Sequence, residues 1–223
     1  MRADRRRAQV AYDYPGYGLS EQTTSTEKGM CDAIDAVYDV AVNRMGVPSH
    51  QVLIWGKSLG TGPSVFLASQ QRPLSGVVLV SPLASGARCL CQTTGLPRAL
   101  VGAADAVRSC CRSRPRRAAR ARRGMLTAAP RAQVFMPSVT RIPSVTVPVC
   151  VVHGTADTVV SVDNAEAIVA CCGSQAAYPP LYVPAGHNDI EATYGPRFVS
   201  HIARFLEYTA NIATLPYHRD LYA

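Results

Sequence analysis

At 223 residues, 48% of them hydrophobic, the chain can bury one sizeable core, and a single domain over 1–223 is expected. No run approaches ~18 consecutive apolar residues, and the basic start Met1-Arg2-Ala3-Asp4-Arg5-Arg6-Arg7 has no apolar stretch behind it. A membrane-spanning helix and a secretory signal are therefore both excluded from the expectation. The formal charge of +8 would fit a nucleic-acid binder, but nine arginines lie between Arg108 and Arg131 with no acid among them, which leaves 8 − 9 = −1 for everything else.

In chain order, Gln9 to Tyr14 reads as a short strand running into the turn-rich Asp13-Tyr14-Pro15-Gly16-Tyr17-Gly18. Thr26 to Met45 is predicted helical, because Met30, Ile34, Val37, Tyr38 and Ala41 recur on one face, and Gly46-Val47-Pro48 ends it. Strand Val52–Trp55, helix Leu59–Gln71 and strand Gly76–Val80 follow, the last closing at Ser81-Pro82. After a long irregular stretch come strand Val147–Val152, helix Val162–Cys172, strand Leu181–Val183 and a final helix Tyr194–Tyr208 with Phe198, Ile202 and Phe205 on one face. Strands rich in Val, Leu and Ile alternating with helices predict a parallel sheet covered on both faces, with functional residues at the carboxyl ends of its strands.

The stretch from Val52 to Gly62 carries the chemistry. An apolar strand, then Gly56-Lys57-Ser58-Leu59-Gly60, then a helix start is the order that a serine nucleophile needs. The hydroxyl must stand clear on a tight turn, and both flanking glycines are expected to be required because a Cβ at either would clash. The following helix offers free N–H groups beside the reacting oxygen, Leu59 N–H first among them. A phosphate cradle is the competing use of such a turn, but it needs Lys and then Ser or Thr after the last glycine; here Lys57 precedes Ser58.

A serine nucleophile needs a base, and the base an orienting carboxylate. Ser58, Asp157 and His187 appear in that order, each in a loop just after a strand: Asp157 in His153-Gly154-Thr155-Ala156-Asp157, His187 in Pro184-Ala185-Gly186-His187. Asp189 and Glu191 are too near His187 in sequence to reach back to its ring, and solvent exposure or capping of the next helix is expected of them. His153 is expected to pack or hydrogen-bond locally; His50, His201 and His218 lie in a loop, on a helix face and in a tail. No cofactor and no metal is implied. The eight cysteines include no C-x-x-C pair, so reduced thiols in a reducing compartment are expected.

These blocks resemble the α/β-hydrolase superfamily, and within it the palmitoyl-protein thioesterase (depalmitoylase) branch of the α/β-hydrolase-domain proteins, also classed with the clan SC serine peptidases. The likeness runs through Tyr12-Asp13-Tyr14-Pro15-Gly16-Tyr17-Gly18-Leu19-Ser20, Gly56 to Gly62, Leu79-Val80-Ser81-Pro82-Leu83-Ala84-Ser85-Gly86, His153 to Asp157 and Gly186-His187-Asn188-Asp189-Ile190-Glu191. It implies a three-layer α/β sandwich with a mostly parallel sheet, here lacking the family's first strands. It implies Ser58 as nucleophile, His187 as general base and acid, Asp157 as orienting acid, and an acyl ester or thioester, such as an acylated protein, as substrate. It also implies a second oxyanion donor from a loop that precedes the part of the fold seen here. Leu59 N–H is then the remaining donor, and the alternative reading is a catalytically impaired remnant or a membrane-interaction protein. The expected location is cytoplasmic or membrane-peripheral.

Residues 87–136 break the strand–helix rhythm and read as an insertion or lid, with a helix over Leu96–Val107 and disorder over 108–131. A solvated insertion or a gene-model artefact outweighs a binding role. An anionic membrane surface is the binding partner that the arginines would suit, and nucleic acid is not expected because no aromatic residue is interleaved among them.

Overall fold

The computed structural model describes residues 8–86, 88–89, 135–173 and 176–212. Its strands are β1 (Leu53–Lys57), β2 (Gly76–Val80), β3 (Val149–Gly154) and β4 (Leu181–Val183); its helices are α1 (Glu27–Asp39), α2 (Thr61–Ser69), α3 (Ser138–Arg141), α4 (Asp163–Cys171), α5 (Ile190–Thr193) and α6 (Gly195–Ile212). The strands form one parallel sheet in the order β1-β2-β3-β4. Lys57 stands opposite Val80, Val80 opposite Val152, and Gly154 opposite Val183, so the carboxyl ends of the strands align and their loops gather at one end.

Alternate side chains of the buried strands serve two cores, as the two-residue period of a strand requires. Val77, Leu79, Val149 and Val151 pack with Ile34 and Tyr38 of α1, Val65 and Leu67 of α2 and Ile168 of α4. Val78, Val80, Cys150 and Val152 face the other way, onto Phe198, Ile202 and Phe205 of α6. This is the layered arrangement that the alternating pattern predicts.

Element bounds shift by a few residues. Helix α1 starts at the N-cap Thr26, whose Oγ1 accepts from Gly29 N at 3.0 Å. It stops at Asp39, where the chain widens into the turn Val40–Arg44, with Met45 N bonded to Val40 O at 2.9 Å. The expected helix at Leu59 begins as a tight turn over Ser58–Gly60 and becomes α-helical at Thr61. The last helix divides into α5 and α6 around Tyr194.

The predicted strand Gln9–Tyr14 is absent from the sheet. A strand exists only through a ladder partner, and among the described residues these have none; there β1 ends the sheet on that side. They are fixed by side chains instead. The Tyr12 and Tyr14 rings meet edge to face at 5.3 Å, and Tyr12 packs against the α1–α2 core. Most of the 87–136 insertion, with the helix over Leu96–Val107 and the disorder expected at 108–131, lies outside the described residues. Among the described residues no helix is long and apolar enough to cross a membrane.

Candidate active site

Ser58 follows the last residue of β1 and takes a φ of +49°, the left-handed region that a non-glycine residue enters at a cost of about 1–3 kcal/mol. Three contacts hold it there. Thr61 Oγ1 donates to Ser58 O at 2.6 Å and accepts from Leu83 N at 3.1 Å, which ties the turn to the exit of β2. Ser64 Oγ donates to Gly60 O at 2.8 Å. Leu59 is the second residue of the turn, where an N–H has no preceding helical turn to bond to.

The two glycines of the motif are not equivalent. A Cβ on Gly56 would lie 2.5 Å from Ser64 Oγ and 2.6 Å from Gly60 O, so strand and turn leave no room for one. Among the described residues a Cβ on Gly60 would meet only Tyr14 Oη at 3.5 Å, an ordinary contact, and its φ of −63° suits any residue. The expectation that both glycines are sterically required is thus corrected. Gly60 has space because the chain beside it carries a side-chain hydroxyl rather than packed backbone.

The structure brings the three predicted residues together. His187 Nε2 is 2.9 Å from Ser58 Oγ, and His187 Nδ1 is 2.7 Å from Asp157 Oδ2. An ionised carboxylate only accepts, so Nδ1 donates and the Nε2 lone pair receives the serine hydroxyl. Asp157 Oδ1 is held by Val159 N at 2.9 Å and Val160 N at 2.8 Å, which fixes the plane of a carboxylate with no exposed side-chain surface. The acid and histidine loops are laced through their backbones: Thr155 N donates to Val183 O at 2.7 Å and Ala156 N to Ala185 O at 3.0 Å.

Three features were not legible in the sequence. Glu191 neither faces solvent alone nor caps a helix; its two oxygens accept from Lys57 Nζ at 2.8 and 3.0 Å, joining α5, just after His187, to the residue before Ser58. Thr61, fully buried, anchors the serine turn. His153 packs and hydrogen-bonds locally, as expected, but its approach to Asp157, with Nε2 at 3.3 Å from Oδ2, was not. Its five-residue run to Asp157 was the available signal, but spacing alone does not say which way a ring turns. Asp189 stands before α5 and makes no side-chain cap bond. Among the described residues no group of three or more His, Cys, Asp and Glu side chains is arranged to hold a metal ion.

A sequence profile of the family described as serine aminopeptidase, S33, matches residues 3–188. The alpha/beta hydrolase domain-containing protein aho-3 of Caenorhabditis elegans is 33% identical over 195 residues, covering 86% of this chain and 48% of that protein. The alpha/beta hydrolase domain-containing protein 17C of Mus musculus is 34% identical over 197 residues, covering 86% and 50% respectively. The chain thus spans about half the length of the curated relatives it matches. Among solved structures, an esterase from Pyrococcus furiosus superposes with a TM-score of 0.60 at 15% identity, over 88% of this chain and 68% of that one. A monoacylglycerol lipase from Paleococcus ferrophilus gives 0.55 at 16% identity, over 90% and 82%. At such identities these two likenesses carry the fold.

Proposed function

The chain belongs to the serine aminopeptidase S33 family of α/β-hydrolases, and from that premise we propose that it is a serine hydrolase that transfers the acyl group of an ester or thioester to water through Ser58, His187 and Asp157. The observation that carries the reading is the unbroken hydrogen-bond path from Ser58 Oγ through both nitrogens of His187 to a buried, oriented carboxylate. Ser58 Oγ attacks the carbonyl carbon while His187 Nε2 takes its proton, and Asp157 balances the imidazolium. The tetrahedral oxyanion is directed at Leu59 N–H, in the position where a backbone donor is worth about 10²–10³ in rate. Collapse breaks the carbonyl carbon's bond to the leaving oxygen or sulfur, which receives the proton from His187. A water, deprotonated by His187, then attacks the acyl-serine and restores Ser58.

The resemblance of Ser81–Gly86 and Gly186–Glu191 to the depalmitoylase branch makes a fatty-acyl thioester, of the palmitoyl-cysteine kind, the substrate class to test first. A tagged fluorophosphonate is expected to label the folded chain and to lose all labelling in Ser58→Ala. Hydrolysis of a palmitoyl thioester is expected to disappear in the same variant. Absence of labelling in the folded wild type, or equal labelling of Ser58→Ala, would sink the proposal.

A further inference from the structure

Behind Asp157 stands a second histidine. His153, the fifth residue of β3, has no exposed surface. Its Nε2 lies 2.7 Å from Val160 O and 3.3 Å from Asp157 Oδ2. A carbonyl oxygen can only accept, so Nε2 carries a proton, and Nδ1 has no hydrogen-bond partner among the described residues. Burial lowers the affinity of this ring for a second proton, although the Val160 carbonyl and the Asp157 charge act in the opposite direction. The geometry places one N–H, on Nε2, against the acid loop.

That single N–H meets the loop at both of its functional ends. It grips Val160 through the carbonyl, while the Val160 amide donates to Asp157 Oδ1 at 2.8 Å. Nε2 itself lies 3.3 Å from Oδ2, the oxygen that accepts from His187 Nδ1 at 2.7 Å. Asp157 then has a backbone donor pair on one oxygen and two imidazoles at the other. Rotation of the carboxylate would break contacts on both sides.

We propose that His153 is a positioning residue for the triad acid: its Nε2–H holds the Val160 carbonyl beside Oδ2 and so fixes the Asp157 carboxylate against His187. The inference rests on the serine-hydrolase reading given above. It makes His153 part of the site although it touches no reacting atom, because a group that orients a catalytic side chain is felt in the chemical step.

The test compares His153→Leu, which keeps bulk and removes the donor, with His153→Gln, which restores an N–H at similar reach. On the full chain, the maximal rate of fluorophosphonate labelling at Ser58 is expected to fall about tenfold to a hundredfold in H153L, with half-saturation unchanged. In H153Q it is expected to return to within about threefold of wild type. A folded H153L that labels at the wild-type rate, or an H153Q as slow as H153L, would overturn the proposal. Should either variant not fold, the wild-type ring decides: nitrogen NMR of the folded chain is expected to show a proton on His153 Nε2. A proton on Nδ1 with none on Nε2 would overturn it. A wild type that labels at no residue overturns the hydrolase reading instead, and the NMR result stays separate from that failure.

Discussion

Replacing each motif glycine by alanine sets one perturbation in two surroundings. In Gly56→Ala the new methyl meets Gly60 O at 2.6 Å, Gly60 C at 2.8 Å and Ser64 Oγ at 2.5 Å. Two of these are backbone atoms and cannot rotate aside, and the third is engaged in its bond to Gly60 O. Ordinary contact begins near 3.4 Å, so β1 and the turn must part by about 0.8 Å. Ser58 lies between Gly56 and Gly60 and moves with them. A shift of that size is enough to weaken or break its 2.9 Å bond to His187. Overpacking of this kind costs about 1–3 kcal/mol, offset in part by the ~0.4–1 kcal/mol that alanine gains by restricting the unfolded chain. A net loss of about 1–2 kcal/mol and a fall in turnover of about tenfold to a hundredfold are expected. Gly60→Ala meets only Tyr14 Oη at 3.5 Å, at a φ open to alanine. Its stability is expected to stay equal or rise by up to ~1 kcal/mol. Chemical denaturation and ester hydrolysis measure both variants side by side. A G56A protein as stable and as active as G60A would refute the steric reasoning.

Three further outcomes follow from the same contacts. Gly154→Ala places a methyl 2.6 Å from Gly186 O and nearer still to Ala185 O, so it wedges the acid loop from the histidine loop; turnover is expected to drop about a hundredfold, and a wild-type rate would contradict the lacing described. The Lys57–Glu191 pair, about a third exposed on each side, is expected to show a coupling of about 0.2–1 kcal/mol in a double-mutant cycle by denaturation, shrinking in high salt; a coupling above ~2 kcal/mol would be inconsistent with that exposure. His153 and His201 both have pKa values below the usual 6.5, chiefly through burial, so each is lower in the folded than in the unfolded chain. Their contribution is intact above about pH 6.5 and is lost as pH falls toward the folded value, because the unfolded chain takes up protons that the fold refuses. For His153 the slope reaches at most about 1.4 kcal/mol per pH unit. Tm is expected to fall as the pH drops below about 6.5, and a flat profile there would exclude rings that resist protonation.

The parts of the site that could be read from the sequence are those whose requirements are local. Ser58 needs a strand end, a turn and a glycine that yields space, and all of these lie within a few residues of it. Asp157 and His187 each need a loop after a strand, and the parallel sheet then carries the three loops to one end. Gly60 shows the limit of this kind of reading. Motif spacing marks the position, but only the neighbour, Tyr14 Oη, decides whether a side chain fits there. His153 and Glu191 belong to the same class. Their partners stand four residues away in one case and 134 in the other, and neither direction is encoded in residue type.

The failed strand at Gln9–Tyr14 is the clearest case of a non-local requirement. Val10, Tyr12 and Tyr14 have the right β-propensity, but propensity describes fitness for a pleated surface and says nothing about a free edge to join. What holds the segment is turn chemistry. Asp13 Oδ2 accepts from Leu19 N at 3.0 Å, Ser20 Oγ donates to Asp13 O at 2.7 Å, and Tyr17 N donates to Tyr14 O at 2.9 Å. Gly16 and Gly18 take φ of +82° and +51° to make the reversal, and a Cβ on Gly18 would strike the Asp13 carboxylate. The same turn presents Tyr14 to Gly60 and places Leu19 in full exposure. The segment that reads as a strand therefore acts as a wall of the serine turn, and its aspartate and glycines, rather than its β-formers, fix where that wall stands.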